Sequence, residues 1–219
     1  MGFKKSFAAA VLAVSMIVGS VCSAAAATSP SKAPAVKNYI DYNKQDHSKT
    51  MVVSKIDSKG TVGNTVRVKA KSGKNNDETK LSIARNAQGK KVPITVVGDG
   101  KTGVFSTKDG RKVTKVIIGS SKQITVKANA FKRSNVKKLT LAGRVNIKKD
   151  AFKGTSYKPV IIQIRLKKAS SVTVTKGSFN GLSSKATIVV QKSKMSAAEF
   201  KKLSSKLKKA GFKGRILRR

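Results

Sequence analysis

Asn129-Ala130-Phe131-Lys132 is followed 21 residues later by Asp150-Ala151-Phe152-Lys153-Gly154, and a degenerate third copy reads Gly177-Ser178-Phe179-Asn180-Gly181. The same pair of apolar positions precedes each copy: Ile124 and Val126, Val145 and Ile147, Val172 and Val174. A period in the low twenties is typical of repeat proteins, in which one unit cannot bury its apolar residues alone and neighbouring units bury each other's. The repeat therefore predicts a mainly β structure, a short β-solenoid.

Each unit begins with a longer apolar stretch, at 113–118, 136–141 and 160–166. Apolar and polar residues alternate there with a period of two, as in strands that bury one face. Each unit thus reads as a strand, a turn, a second short strand and a corner. We expect the Ala and Phe of each corner to lie in the core and only the Lys to face solvent.

A helix is predicted after a last strand at 186–190. Ser196 and Glu199 have the spacing of a capping box, in which the Ser hydroxyl accepts from the Glu199 backbone and the carboxylate reaches back. Gly211 is the expected residue just beyond the helix end. The apolar stripe consists of Phe200, Leu203, Leu207 and Ala210. The opposite face carries Lys201, Lys202, Lys206, Lys208 and Lys209. We interpret this helix as a cap over the end of the repeats.

The residues before the repeats divide into three segments. Residues 1–27 have the basic start, apolar run and small terminal residues of a cleaved secretory signal peptide. Residues 28–50 are a Pro- and Ser-containing linker without a core pattern, and 51–75 form a small N-terminal β segment with strands expected at 51–53 and 65–69. A hairpin is expected from 79–83 and 92–97. We assign the β-solenoid to 76–192 and the helical cap to 193–219.

The chain is strongly basic and nearly free of cysteine. It has 48 Lys and Arg against 9 Asp and Glu, a formal net charge of +39. Removal of the signal peptide leaves +37 and removes Cys22, the single cysteine, so disulfides, thiolate metal sites and a Cys nucleophile are excluded for the mature chain. Only 9 of the 48 basic residues are Arg, the side chain that usually reads bases and phosphates, so sequence-specific nucleic-acid recognition is not expected.

The corners at Phe131, Phe152 and Phe179 and the strand phrase at 136–141 resemble the BspA-type leucine-rich-repeat surface proteins of bacteria. The closing phrase from 186 to 211 is similar to the C-terminal cap of that family. The resemblance covers about 77–214 and implies a leucine-rich-repeat-like fold in a secreted or surface-displayed interaction module. Some members of the family are associated with adhesion, but no binding residue carries over position by position.

Residues for enzyme chemistry are sparse. His47 lies in a polar segment outside the repeats, and the acidic residues are scattered, whereas hydrolysis by paired acids needs two carboxylates that converge. The stretch 98–101, Gly-Asp-Gly-Lys, lacks the spacing of a phosphate-binding loop and reads as a turn. We predict that the protein is not an enzyme and has no catalytic, cofactor or metal site.

The lysines leave alternatives open. They can reflect composition alone, or retention on wall polymers, lipids or glycans. The Phe corners can be core residues or stacking platforms for single-stranded nucleic acid, and their pairing with Ala favours the core. The basic helix can cap the repeats or lie on an anionic membrane, and its narrow apolar stripe favours the cap.

The sequence thus predicts a secreted or cell-surface, non-enzymatic binding or adhesion module with a cationic solenoid surface. The alternative is a cationic effector directed to polyanions or membranes and retained electrostatically. We expect a monomer, secreted or loosely attached to the wall, whose partner is a protein or glycan of the cell surface or an anionic wall polymer. The candidate contacts with a polyanion are Lys132, Arg133, Lys148, Lys149, Lys153, Lys201, Lys202, Lys208 and Lys209.

Overall fold

The computed structural model of this chain describes residues 36–38, 50–57, 59–70, 78–85 and 91–219. They belong to one compact unit, Ala35–Arg219. The signal peptide predicted at 1–27 and most of the predicted linker lie outside the described residues. Within the predicted linker, Val36–Asn38 forms a strand that pairs with the strand beginning at Thr50.

Short strands make up most of the described structure. The first seven are β1 (Val36–Asn38), β2 (Thr50–Ile56), β3 (Thr61–Ala70), β4 (Glu78–Leu81), β5 (Ile83–Arg85), β6 (Lys91–Pro93) and β7 (Val96–Val97). The next five are β8 (Lys115–Ile118), β9 (Ile124–Val126), β10 (Lys138–Leu141), β11 (Val145–Ile147) and β12 (Ile161–Ile164). The last three are β13 (Val172–Val174), β14 (Thr187–Val190) and β15 (Arg215–Arg218), with helix α1 (Ala197–Lys209) between β14 and β15. Single 3-10 turns lie at Gly110–Lys112 and Ala169–Ser171.

The strands are arranged in two large sheets and one small one. The first large sheet has the order β1-β2-β3-β7-β9-β11-β13, antiparallel from β1 to β3 and parallel from β3 onward. The second has the order β4-β8-β10-β12-β14-β15 and is parallel throughout. Strands β5 and β6 form a separate antiparallel pair. Val145 lies opposite Ile124 on one side and Val172 on the other. Equivalent residues of successive repeats are therefore paired in neighbouring strands.

The predicted fold class, a mainly β leucine-rich-repeat-like β-solenoid, is wrong. Two parallel sheets, of five and six strands, together with one described α-helix give an α/β-like fold. The repeat period led to the wrong fold class because it requires only that equivalent strands lie side by side. Parallel strands in any sheet are separated by a connection of a dozen or more residues, so a repeat of this length is compatible with more than one architecture.

The N-terminal β segment is not separate from the repeats. Strand β3 pairs in parallel with β7 and thereby continues the first large sheet. The expected hairpin is shorter than predicted: Ile83–Arg85 pairs with Lys91–Pro93, while Glu78–Leu81 pairs instead with β8. Pro93 cannot donate a backbone hydrogen bond. It lies in the isolated two-stranded pair, so it does not interrupt the hydrogen bonding of either large sheet.

The corners build the core, as the repeat phase predicts. Ala130 and Ala151 are fully buried, and Phe131 and Phe152 are 1% exposed. Their rings are nearly parallel, with centroids 4.9 Å apart. The stack is extended by Phe105 at 6.5 Å from Phe131, by Phe179 at 6.3 Å from Phe152, and by Phe212 at 5.2 Å from Phe179. This burial excludes the Phe rings as platforms for nucleic-acid bases.

The third corner replaces Ala by Ser178, which is fully buried. Its hydroxyl oxygen lies 2.7 Å from the carbonyl oxygens of Ile147 and Thr175 and accepts from the backbone N–H of Thr175 at 2.8 Å. A buried hydroxyl without partners is costly, and these bonds remove that cost. The degenerate copy therefore keeps the geometry of the other two.

Helix α1 begins and ends as the sequence predicts at the backbone level. The Ser196 hydroxyl accepts from the Glu199 backbone N–H at 3.3 Å, and Gly211 has a φ of +94°. The Phe212 N–H donates to Leu207 and the Gly211 N–H to Lys208, the two bonds of a Schellman motif. Two expectations are wrong: the Glu199 carboxylate does not close the capping box, and 193–219 is not only a helical cap, because Arg215–Arg218 forms the edge strand β15.

Candidate polyanion-binding surface

All nine basic residues predicted to contact a polyanion have exposed side chains. They form two groups. The corner group follows strands β9 and β11 and consists of Lys132, Arg133, Lys148, Lys149 and Lys153. The helix group lies on α1 and consists of Lys201, Lys202, Lys208 and Lys209. The structure therefore presents every predicted side chain to solvent, but on different elements.

Neighbouring corners are joined directly by backbone hydrogen bonds. The Phe131 N–H donates to the Ala151 carbonyl at 3.0 Å, and the Arg133 N–H donates to the Gly154 carbonyl at 2.8 Å. Equivalent corner lysines are therefore attached to adjacent backbone segments. The Lys132 stem passes beside Gly154, where its Cγ lies 3.3 Å from the place that a Cβ would occupy. The repeat thus produces a row of lysines, because a lysine follows Phe in both complete copies.

The corner row continues towards the helix through the third unit. The Cγ of Lys149 lies 3.2 Å from the Cβ position of Gly177, and the Gly177 N–H donates to the Ala210 carbonyl at the end of α1. Lys176, the residue before Gly177, is the third-unit equivalent of Lys149. Corner and helix groups therefore meet at Lys176, which was not among the predicted contacts although the repeat frame contained the signal for it.

A cleft of about 360 Å³ lies where α1 meets β13. It is lined by Val174, Lys176, Lys202, Ser205, Lys206, Lys209 and Ala210. Four lysines therefore line one open cleft. Of the predicted contacts, only Lys202 and Lys209 line this cleft; Lys201 and Lys208 lie elsewhere on the helix.

Lys206 was expected on the solvated face of the helix, and this expectation is wrong. Its ammonium donates to the carbonyl oxygens of Ala169 at 3.0 Å and Val172 at 3.1 Å. The side chain is half-buried and bridges the helix to the 3-10 turn and to the start of β13. A lysine ammonium has three donors, so one donor is left for another acceptor after these two bonds.

Glu199 also binds the 3-10 turn. Its Oε2 accepts from the Ala169 backbone N–H at 2.7 Å, and its Oε1 lies 3.3 Å from the Lys202 ammonium. The hydrogen bond from Ala169, followed by the one from Lys202, lowers the pKa of Glu199 because both favour the ionised carboxylate. Side chains of one helix thus bind both the N–H and the carbonyl of Ala169.

Acidic side chains near this surface are already engaged. Asp150 accepts from the Asn180 side-chain amide at 2.7 Å. Glu199 is the carboxylate nearest in sequence to the lysines of α1, and it is bound by Ala169 and Lys202. Among the residues that line the cleft, none is acidic. The local field is therefore dominated by ammonium groups.

The stretch 98–101 forms a turn, as predicted, and its backbone donors are occupied by its own aspartate. The Asp99 carboxylate accepts from the N–H groups of Lys101 and Thr102 and from the Thr102 hydroxyl, all at 2.8 Å. Burial raises the pKa of Asp99, but these hydrogen bonds outweigh burial and the pKa is lowered. A loop whose donors are engaged in this way does not present them to a phosphate.

His47 and three of the scattered acidic residues, Asp41, Asp46 and Asp77, lie outside the described ranges. Within the described ranges there is no group of three His, Cys, Asp or Glu side chains that could hold a metal ion. No helix in the described part is both long enough and apolar enough to cross a bilayer.

Comparisons of the chain with protein-family models, with curated proteins and with solved structures returned no match. The resemblance to the BspA-type proteins therefore stays a prediction that rests on the quoted sequence features alone.

Proposed function

We propose that the protein is a non-enzymatic binding module, exported to the cell surface or its surroundings, that attaches to anionic polymers through its lysines. The observation that supports this proposal is the exposure of all nine predicted basic side chains, which continue into a cleft with four ammonium groups. An exposed ion pair in water contributes only about 1 kcal/mol at contact. Attachment therefore depends on many simultaneous contacts, which a polymer provides.

The chemistry of lysine favours a polymer over a ligand of one fixed shape. Its ammonium is a hydrated point charge on a flexible stem and imposes little geometry on its partner. Rows of such groups suit carboxylate or phosphate polymers, whose charges recur along the chain. Adhesion to a single protein partner is the other member of this functional class, and its binding would depend less on salt.

The test measures the affinity of the purified protein for polyglutamate as a function of salt concentration. The logarithm of the affinity should fall linearly with the logarithm of the salt concentration, with a slope proportional to the number of ionic contacts. Replacement of Lys132, Lys148, Lys149 and Lys153 by Gln should weaken binding and make the slope shallower. Replacement of the same four residues by Arg keeps the charge and should leave the slope unchanged.

Two results would contradict the proposal. One is binding that persists at about 0.5 M salt, where the screening length is only about 4 Å. The other is equal affinity of the Gln and Arg variants. Saturable, salt-resistant binding to one protein of the cell surface would favour the adhesion alternative instead.

A further inference from the structure

The cleft between α1 and β13 differs from the rest of the lysine surface. The four lysines that line it come from two elements, Lys176 from the third corner and Lys202, Lys206 and Lys209 from the helix. On an open surface, like charges spread apart into water. In the cleft, the backbone anchors of Lys206 and the contact between Gly177 and Ala210 hold the two elements together.

The helix end does not offset this concentration of positive charge. The C-terminal carbonyls of a helix ordinarily carry partial negative charge. In α1, the carbonyls of Leu207 and Lys208 accept from Phe212 and Gly211, and the Ala210 carbonyl accepts from Gly177. These carbonyls are therefore hydrogen-bonded within the fold, which reduces the negative charge that they present towards the lysines.

The density of charge identifies the class of ligand. Subtracting Glu199, which pairs with Lys202, leaves a net charge of about three on the site. Carboxylated or sulfated sugars place their charges at intervals along rings, so few of them enter one cleft. Linked phosphates place several charges on adjacent atoms, and lysine is an established point-charge ligand for phosphate.

The size of the cleft agrees with such a group. At about 30 Å³ for each water-sized unit, 360 Å³ accommodates about a dozen such units. A single orthophosphate would leave some of the ammonium groups without a partner. A run of two or three linked phosphates carries enough negative charge to pair with several of these lysines.

We propose that this cleft is a binding site for oligophosphate, either as free polyphosphate or as linked phosphates on a larger molecule. The inference rests on the proposed function, because it assigns one ligand class to one part of the same cationic surface. The corner lysines attach the protein to polymers in general, and the cleft selects phosphate runs among them.

The test is calorimetric titration of the full protein with inorganic tripolyphosphate at about 0.15 M salt. We expect one saturable site, with orthophosphate binding at least tenfold more weakly. The variant Lys176→Gln with Lys209→Gln should weaken tripolyphosphate binding at least tenfold. The matched control is Lys122→Gln with Lys185→Gln, which also removes two exposed lysines but from positions outside the cleft and outside the corner and helix groups, and it should change binding less than threefold.

Thermal unfolding of both double variants shows whether they are folded. If the variant Lys176→Gln with Lys209→Gln is not folded, the single variant Lys176→Gln, which does not alter the helix, replaces it in the titration. Equal losses in both double variants, several equivalent sites, or equal binding of orthophosphate would overturn the inference while leaving polyglutamate attachment in place. Loss of polyglutamate attachment with tripolyphosphate binding retained would overturn the proposed function alone. Titration with a glycerol-phosphate polymer separates phosphodiesters from linked phosphates, and tighter binding of that polymer than of tripolyphosphate would also overturn the inference.

Discussion

Left-handed backbone conformations mark both ends of every corner. The residues before Ala or Ser have positive φ, at Asn129 (59°), Asp150 (61°) and Gly177 (80°). The residues two positions after Phe do as well, at Arg133 (56°), Gly154 (70°) and Gly181 (97°). Glycine adopts this conformation without steric cost, whereas a side chain costs roughly 1–2 kcal/mol. Three glycines of the corners, Gly154, Gly177 and Gly181, are therefore explained by the backbone, and Arg133 adopts the same conformation while its N–H donates to the Gly154 carbonyl.

Gly181→Ala should be clearly more destabilising than Gly100→Ala. Both glycines have φ near +90°, so both variants incur the left-handed cost of roughly 1–2 kcal/mol. A Cβ at Gly181 would lie 2.3 Å from the Phe152 carbonyl oxygen, whereas a Cβ at Gly100 meets nothing within 4 Å. Overpacking should add about 1–3 kcal/mol at Gly181 alone. Denaturant unfolding measures both values, and equal losses would show that the corner backbone yields.

At the scale of elements, two side chains of the helix attach it to the first large sheet by binding one residue, Ala169, which precedes β13. Glu199 binds the N–H of Ala169, and Lys206 binds its carbonyl. Leu203 and Leu207 of the same helix are buried. Helix α1 therefore covers the β13 edge of the first sheet, while β15 closes the second sheet by pairing with β14. Unpaired strand edges favour association, and the helix protects one of them.

Acid should weaken the attachment of the helix through Glu199. Its pKa is lowered in the folded state from 4.5, so its ionised form contributes stability above about pH 4.5 and loses that contribution as the pH falls through the folded pKa. Glu199→Gln should be less stable than the parent protein at pH 7, and the difference should shrink below pH 4.5. Unfolding at several pH values measures this difference. Glu199→Ala also removes the hydrogen bond to Ala169, so its free energy of unfolding should differ from that of Glu199→Gln by an amount independent of pH. A difference between the parent protein and Glu199→Gln that stays constant with pH would contradict the assignment.

At the scale of the whole molecule, charge opposes compactness. A formal net charge of +39 on 219 residues produces self-repulsion that the apolar core has to offset. One core cluster includes residues from Val62 to Phe212 and contains the Phe stack, so apolar packing resists the repulsion across the repeats and the helix. An anionic polymer would lower this repulsion on binding and should therefore stabilise the fold.

Sodium chloride should raise the melting temperature at low concentrations. The screening length falls from about 30 Å at 0.01 M to about 8 Å at 0.15 M, which removes most repulsion between distant lysines. Scanning calorimetry over this range measures the shift, and chloride is preferred because sulfate strengthens apolar burial by a separate route. Sucrose at equal osmolarity is the control. A melting temperature that does not rise with salt would mean that repulsion between the lysines contributes little to stability.

Much of the local structure was predictable from sequence because its causes are local. Period-two alternation located the strands around Ile124, Val145 and Val172, and the phase of the corners placed Phe131 and Phe152 in the core. The strand at Arg215–Arg218 escaped prediction, since two of its four residues are Arg and its apolar pair is adjacent. This segment forms a strand because it pairs with β14, since its own residue pattern does not predict one.

The sequence by itself determined most of the strands, the corners, where the helix begins and ends, and that the surface is cationic. Only the tertiary structure decided that the strands divide between two parallel sheets, that Glu199 binds Ala169 instead of its own helix start, and that Lys176 and Lys206 join the helix lysines in one cleft. The reason is the range of the interactions. Alternation, capping and charge act within a few residues, whereas the bonds that build the cleft join groups 30 or more residues apart and form only when the sheets are assembled.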